Sequence, residues 1–114
     1  MNLNRQCKIL KIYTSDDAVY KGHNLYHAIV NKMAEMGMAG VTVTRGIEGF
    51  GHEKRLRSTR ILDLSLKLPI IIEIIDTPAK IEAAAPVVSD MVDEGLVIVT
   101  DLIVLKYGKE CPEE

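Results

Sequence analysis

The stretch "IIIEIIDTPAKIEAAAPVVSDMVDEGLVIVT", residues 70–100, decides the fold. It opens with a short apolar run of strand length. Ile70, Ile72 and Ile74 fall on one face, and Ile71 and Ile75 on the other, with Glu73 among the latter. Thr77-Pro78 then reads as a helix start. The threonine hydroxyl can accept a first-turn N–H, and proline in that turn has no N–H to waste. Ile81, Ala84, Ala85, Val88, Met91 and Val92 recur at helical spacing. Pro86 interrupts this helix by removing one backbone hydrogen bond and crowding the Glu82 carbonyl, so a bend is expected there. Gly95 ends the helix, and "LVIVTDLIVLKY", residues 96–107, supplies a second strand.

The first half repeats that order. "CKILKIYTS", residues 7–15, is a strand, and "DDAVYKGHN" a polar loop. Leu25, Ala28, Ile29, Met33 and Met36 form a helical stripe. Gly37 is a stop, able to take the positive φ that closes a helix. "GVTVTRGI", residues 40–47, is the next strand. "RILDLSLKLP", residues 60–69, alternates apolar and polar, extending the third strand backwards until Pro69 interrupts its ladder. Residues 48–60 are left as the irregular connection. The order strand, helix, strand, strand, helix, strand, with right-handed crossovers, predicts an α+β, ferredoxin-like βαββαβ domain over residues 1–114. Its sheet is of antiparallel type and both helices lie on one face.

The strands carry too much apolar surface for that arrangement. In residues 96–107, Leu96, Ile98, Leu102 and Val104 share one face, and Val97, Val99, Ile103, Leu105 and Tyr107 the other. Two helices cover one side only, and an antiparallel sheet with a wet face should alternate apolar and polar. A symmetric oligomer that turns the open sheet faces towards one another is the simplest remedy. On the first helix, Leu25, Ile29 and Met36 mark the core side. Tyr26, Val30 and Met33 widen the apolar arc beyond the usual stripe of about 100°.

Composition sets the outer limits. The 114 residues are 47% hydrophobic and 26% charged with net charge -2, a globular chain without the basic excess of a general nucleic-acid binder. No apolar run reaches bilayer-spanning length, and the first residues lack a signal-peptide core, so no membrane insertion and a cytoplasmic location are expected. Cys7 and Cys111 form no CxxC pair. A bridge between them needs the first and last strands to pair, and a reducing cytosol disfavours it.

Few residues point to chemistry. Gly46, Gly49 and Gly51 end the second strand. This is not the dinucleotide fingerprint, which opens a helix. Read structurally, the glycines supply positive φ at a bulged strand end. Read functionally, they bare backbone N–H groups to an anion, helped by Arg45, Lys54, Arg55, Arg57 and Arg60. His23 and His27 have the four-residue spacing of a chelating pair, and His52 could approach them, but no cysteine or carboxylate nearby completes a set. Ser15, Ser58, Ser65 and Ser89 lack a nucleophile signature, and the carboxylates of Asp16-Asp17 and Asp93-Glu94 fit turns and helix ends. Glu73 needs a partner if buried, either an ion pair across an interface or a ligand.

"TVTRGIEGFG", "LPIIIEIID" and "MVDEGLV", together with Asp16-Asp17 and "KGHNLYHAIV", resemble the PII-like family of unknown function numbered one-ninety, in the same order along nearly the whole chain. The chain is more distantly similar to PII nitrogen-regulatory signalling proteins. The resemblance implies a trimeric assembly of ferredoxin-like subunits. It further implies a non-enzymatic regulatory or signalling protein that binds a small anionic effector between subunits, an adenine nucleotide being a candidate. Thr44, Arg45, Gly46, Gly49, Phe50, Gly51 and Arg57 are the ligand-binding candidates, and residues 52–60 the responsive loop. A protein target is expected by the same analogy, a membrane transporter among the candidates. Three departures from PII stand out. No tyrosine lies between Gly46 and Leu68, and Glu53 stands near the position of a PII glutamine. Gly95 leads straight into "LVIVTDL", where PII has a glycine-rich phosphate loop. The alternatives are a metal-binding trimer like the divalent-cation tolerance proteins and a small enzyme with its site between subunits.

Overall fold

The computed structural model describes residues 5–51, the backbone of 57 and 58, residues 67–109 and residue 111. In chain order the elements are β1 (Gln6–Ser15), β2 (Val19–Tyr20), β3 (His23–Asn24), α1 (Leu25–Glu35), β4 (Gly40–Arg45), β5 (Glu48–Gly49), β6 (Arg57–Ser58), β7 (Pro69–Asp76), α2 (Pro78–Met91) and β8 (Leu96–Ile103). The main sheet has the order β4-β7-β1-β8, every pair antiparallel. The two strands joined through each long helix are therefore parallel to one another, with a third strand between them. This is the split βαβ arrangement expected from the sequence.

Register explains the core. Leu10 and Ile12 of β1 lie opposite Ile74 and Ile72 of β7, which lie opposite Val41 and Val43 of β4. This face meets Leu25, Ile29 and Met33 of α1 and Ile81, Ala84, Val88 and Met91 of α2. Burying each large aliphatic side chain contributes about 1.5–3 kcal/mol. Met33, read from the sequence both in the helix stripe and among the residues that widen it, is fully buried, whereas Met36 packs at the core's rim. The opposite face alternates differently. Lys11 and Glu73 stand opposite each other at its centre, 3.8 Å apart. Glu73 thus finds its partner within the chain. Thr42 and Thr44 make the β4 part of this face polar, while Ile71, Ile75, Tyr13 and Ile98 keep the rest apolar.

The helix ends follow the chemistry of their residues. Asn24 caps α1 by accepting the His27 N–H at 3.2 Å, and Thr77 caps α2 by accepting the Lys80 N–H at 3.5 Å. Gly37 has φ +69°, and the Gly37 and Met38 N–H groups return to the Ala34 and Met33 carbonyls, the paired bonds that close a helix. α2 runs through Pro86 to Met91.

Four expectations need correction. The loop before α1 contains the β2–β3 hairpin, its tip formed by Lys21 and Gly22 at positive φ. The connection after β4 is not wholly irregular, because Glu48 and Gly49 pair with Ser58 and Arg57. Pro69 is the first residue of β7 rather than a break before it, a place where a strand tolerates its missing donor. Lys67 and Leu68 lie outside any strand, and the rest of the expected extension, residues 60–66, falls outside the described residues. Finally, β8 ends at Ile103, four residues before Tyr107. Val104 still donates to the Arg5 carbonyl at 2.7 Å, and beyond it the Tyr107 hydroxyl donates to the Ala39 carbonyl at 2.9 Å, just ahead of β4 on the far edge.

Asp76 is the only buried charged residue among the described residues. Its carboxylate accepts the Ala39 N–H at 2.8 Å and the Thr77 N–H at 2.7 Å, with Lys80 Nζ at 3.9 Å. Lys80 also donates to the Gly37 carbonyl. One side chain therefore ties the end of β7 to the turn before β4 and to the start of α2.

Candidate functional site at the β4 end of the sheet

β4 runs antiparallel to β7, so its last residues, Thr44 and Arg45, lie beside the beginning of β7 at Ile71 and Ile70. The end of β1 reaches the same place, with Ser15 opposite Pro69. The Asp16 N–H donates to the Leu68 carbonyl at 3.0 Å, fixing the chain as it leaves β1. From there Asp16 Oδ2 meets Arg45 Nε at 3.5 Å. The Asp16 carboxylate is mostly covered, while the Arg45 side chain is 51% exposed. Asn24 links this pair to α1: its Oδ1 caps the helix while its Nδ2 reaches the Asp16 carbonyl at 3.4 Å. The sequence marked Asp16 only as a turn residue and passed over Asn24. The available signal was an asparagine directly before a helical apolar run.

The glycines act differently from the sequence expectation. Gly46, Gly49 and Gly51 do not adopt positive φ; among the described glycines only Gly22, Gly37 and Gly108 do. Gly46 is required by close approach instead. Its N–H donates to the Pro69 carbonyl at 2.7 Å, and a Cβ there would stand 2.8 Å from Pro69 Cγ. At Gly49 the same ring would be 3.4 Å away, and at Gly51 nothing lies within 4 Å. Pro69, a flat ring at the head of β7, has the glycine-bared chain laid across it.

The other candidates scatter around this base. Thr44 Oγ1 donates to the Ile71 carbonyl at 3.5 Å. Phe50 is 65% exposed, near Ile47 in sequence, which is also exposed. The Arg57 backbone pairs with Gly49, so the chain returns to the site from the far side of the loop. Residues 52–56, 59 and 60, most of the expected responsive loop, lie outside the described residues. The structure thus brings Thr44, Arg45, Gly46, Gly49 and the Arg57 backbone to one end of the sheet and adds Asp16 and Asn24.

The segment after α2 shows why a phosphate loop is lacking there. Gly95 enters β8 directly, and Leu96 is already opposite Tyr13. A Cβ at Gly95 would lie 2.7 Å from the Tyr13 carbonyl oxygen, so this glycine serves strand contact. The backbone of residues 96–103 is committed to the ladder with β1. His23 and His27 are exposed on an open groove between the β2–β3 hairpin, α1 and the end of α2, shared with Lys21, Lys32 and Asp90. Among the described residues no group of three or more His, Cys, Asp or Glu side chains could hold a metal ion. Cys7 is buried and Cys111 exposed; they are not bridged, although β1 and β8 do pair.

An antiparallel α+β sheet of this order carrying two helices is similar to the fold of PII-like proteins. The structure is similar to CPII, a nitrogen regulatory PII-like protein from Thiomonas intermedia K12 solved with ADP, AMP and bicarbonate. The TM-score is 0.58 at 16% identity, covering 87% of this chain and 88% of that one. A second CPII structure, bound to ADP and bicarbonate, gives 0.52 at 18% identity. Residues 7–104 match the DUF190 family, described as "Uncharacterized ACR", and the chain belongs to that family. Relatives include a UPF0166 protein of Methanocaldococcus jannaschii, 34% identical over 102 residues, covering 89% of this chain and 94% of that protein. A UPF0166 protein of Aquifex aeolicus (strain VF5) is 37% identical over 75 residues, covering 66% and 71%. Among the described residues no helix is long and apolar enough to cross a membrane.

Proposed function

We propose that this chain is a non-enzymatic PII-like regulatory protein. It assembles as a trimer and binds a small anionic effector of the adenine-nucleotide class in clefts between subunits. The observation that carries the reading is the half-exposed Arg45 guanidinium beside the glycine-bared turn at the end of β4. A guanidinium offers forked donors to phosphate or carboxylate, and at Gly51, where nothing lies within 4 Å of the missing Cβ, a ligand can approach the backbone. Support for the ligand class comes from the nucleotides held by CPII in the same fold. In this reading the effector anion competes with Asp16 for Arg45, and the loop beyond Gly51 changes state with the site. Such a change requires the effector to favour one loop state in free energy. The expected location is the cytoplasm, and the expected output is contact with a protein target, a membrane transporter among the candidates.

Titration calorimetry with AMP, ADP, ATP and bicarbonate tests this. A nucleotide should bind without turnover. Arg45→Ala should weaken it by about 1.5–3 kcal/mol, the worth of a charge-assisted contact, and Asp16→Asn should strengthen it. Binding unchanged in Arg45→Ala would remove the site from the reading. Because residues 96–103 offer no phosphate cradle, ATP should gain little over ADP. A triphosphate held by the backbone of that segment would overturn this point.

A further inference from the structure

Cys7 and Ile9 lie on the sheet face away from the helices, opposite Leu102 and Thr100 of β8, and Ile9 is also opposite Ile75 of β7. Helix packing does not account for their burial, yet they are 2% and 7% exposed. Farther along the same face, Tyr13 and Ile98 are each 37% exposed. The difference coincides with the path of the chain after β8. Val104 is still attached to the sheet edge, its N–H donating to the Arg5 carbonyl at 2.7 Å. Tyr107 has already reached Ala39, beside the opposite edge. Three inter-strand gaps separate those edges, about 14 Å. Val104 to Tyr107 is three Cα steps, about 10–11 Å when extended, so a nearly straight segment, with the tyrosine ring closing the remaining distance, reaches from one edge to the other.

We propose that residues 104–107 form a strap across the helix-free face, latched by Tyr107 onto Ala39, and that this strap shields Cys7. The latch is aimed at a fixed point. The Ala39 peptide is gripped on both sides, its N–H by Asp76 and its carbonyl by Tyr107. Asp76 and Lys80 hold the receiving turn in place whether or not the strap is docked. The tail itself is held by the Val104 N–H at one end and by a backbone bridge at Tyr107 and its hydroxyl at the other, and Leu105 between them is 72% exposed. A segment held at its two ends with an exposed middle opens locally at lower free energy than the whole domain. The strap therefore has two states, docked and released, and the released state uncovers a thiol and the end of an apolar sheet face.

Cys7 reports on these states directly. In a Cys111→Ser background, labelling by a thiol-specific disulfide reagent at neutral pH should be slow, with a shallow dependence on urea, because strap release exposes little surface. Tyr107→Phe removes only the hydroxyl and should speed Cys7 labelling about five-fold, the factor expected from losing one ordinary hydrogen bond. A chain ending at Val104 should be faster still, while the urea midpoint of Tyr107→Phe stays close to that of the parent. Labelling of Cys7 that is unchanged in Tyr107→Phe, or whose urea dependence equals that of global unfolding, would overturn the strap.

Discussion

Asp76 is the residue on which most separate elements converge. Removing its carboxylate leaves the Ala39 and Thr77 N–H groups without their acceptor and Lys80 without its counter-charge. Asp76→Ala is expected to cost about 3 kcal/mol, from the worth of hydrogen bonds to a charged group, read as a lowered urea midpoint. Asp76→Asn, which keeps one acceptor, should cost less. Gly46 gives a sharper contrast. Gly46→Ala drives a methyl into the Pro69 ring while the Gly46 N–H is pinned to the Pro69 carbonyl, and overpacking of this kind costs about 1–3 kcal/mol. Gly51→Ala, with open space and no positive φ, should stay within about 0.5 kcal/mol of the parent. Equal effects at the two positions would refute the close-approach account. Burial, and secondarily the nearby Asp76 charge, raises the Cys7 thiol above its ordinary value of 9.0. A raised pKa means that the folded state favours the neutral thiol. Its contribution to stability is complete below the unfolded value and is lost as pH rises through the folded one. The stability difference between the parent and Cys7→Ala should therefore shrink as pH climbs past 9.0.

At the scale of elements, β8 is the anomaly. α2 packs on β1 and β7, and α1 on α2 and β4, which leaves β8 at the edge beyond both helices. Leu96, Val99 and Ile103 are 54%, 44% and 59% exposed there. Within one chain Ile103→Asp puts a charge into water and should cost little. In the proposed trimer the same change buries an unpaired charge. Ile103→Asp should thus dissociate the assembly while leaving circular dichroism and the two-helix core intact. An undiminished assembly would show that β8 is not in the interface. The apolar excess of this strand was legible in the sequence, since both faces are written in Val, Ile and Leu. Its place at the edge follows from the expected split βαβ order; how much of it the helices leave uncovered was not legible, because that depends on where α1 and α2 come to rest on the sheet.

For the whole molecule, light scattering at micromolar concentration should give about three times the chain mass, since obligate oligomers lack a stable folded monomer. A folded monomer would sink the proposed assembly. The proposed clefts and the proposed assembly stand or fall on separate measurements, calorimetry for one and mass for the other.

Local rules sufficed for the framework. Thr77-Pro78 starts α2 and Gly37 ends α1 because capping and positive φ are properties of a few adjacent residues. Ile70, Ile72 and Ile74 face the core because a strand alternates whatever its neighbours do. Those features, with the order of elements, were determined by the sequence itself. The tertiary structure decided what depends on distant segments meeting. Arg45 finds Asp16, Glu73 finds Lys11, and Gly46 is held to its lack of side chain by Pro69, twenty-three residues on. The polar end of β7 became an anchor for two other elements, and the tail found Ala39 across the sheet. Hydrogen bonds and close packing act over only a few ångströms, so a residue's partner can be read from its neighbours only when the partner is one of them.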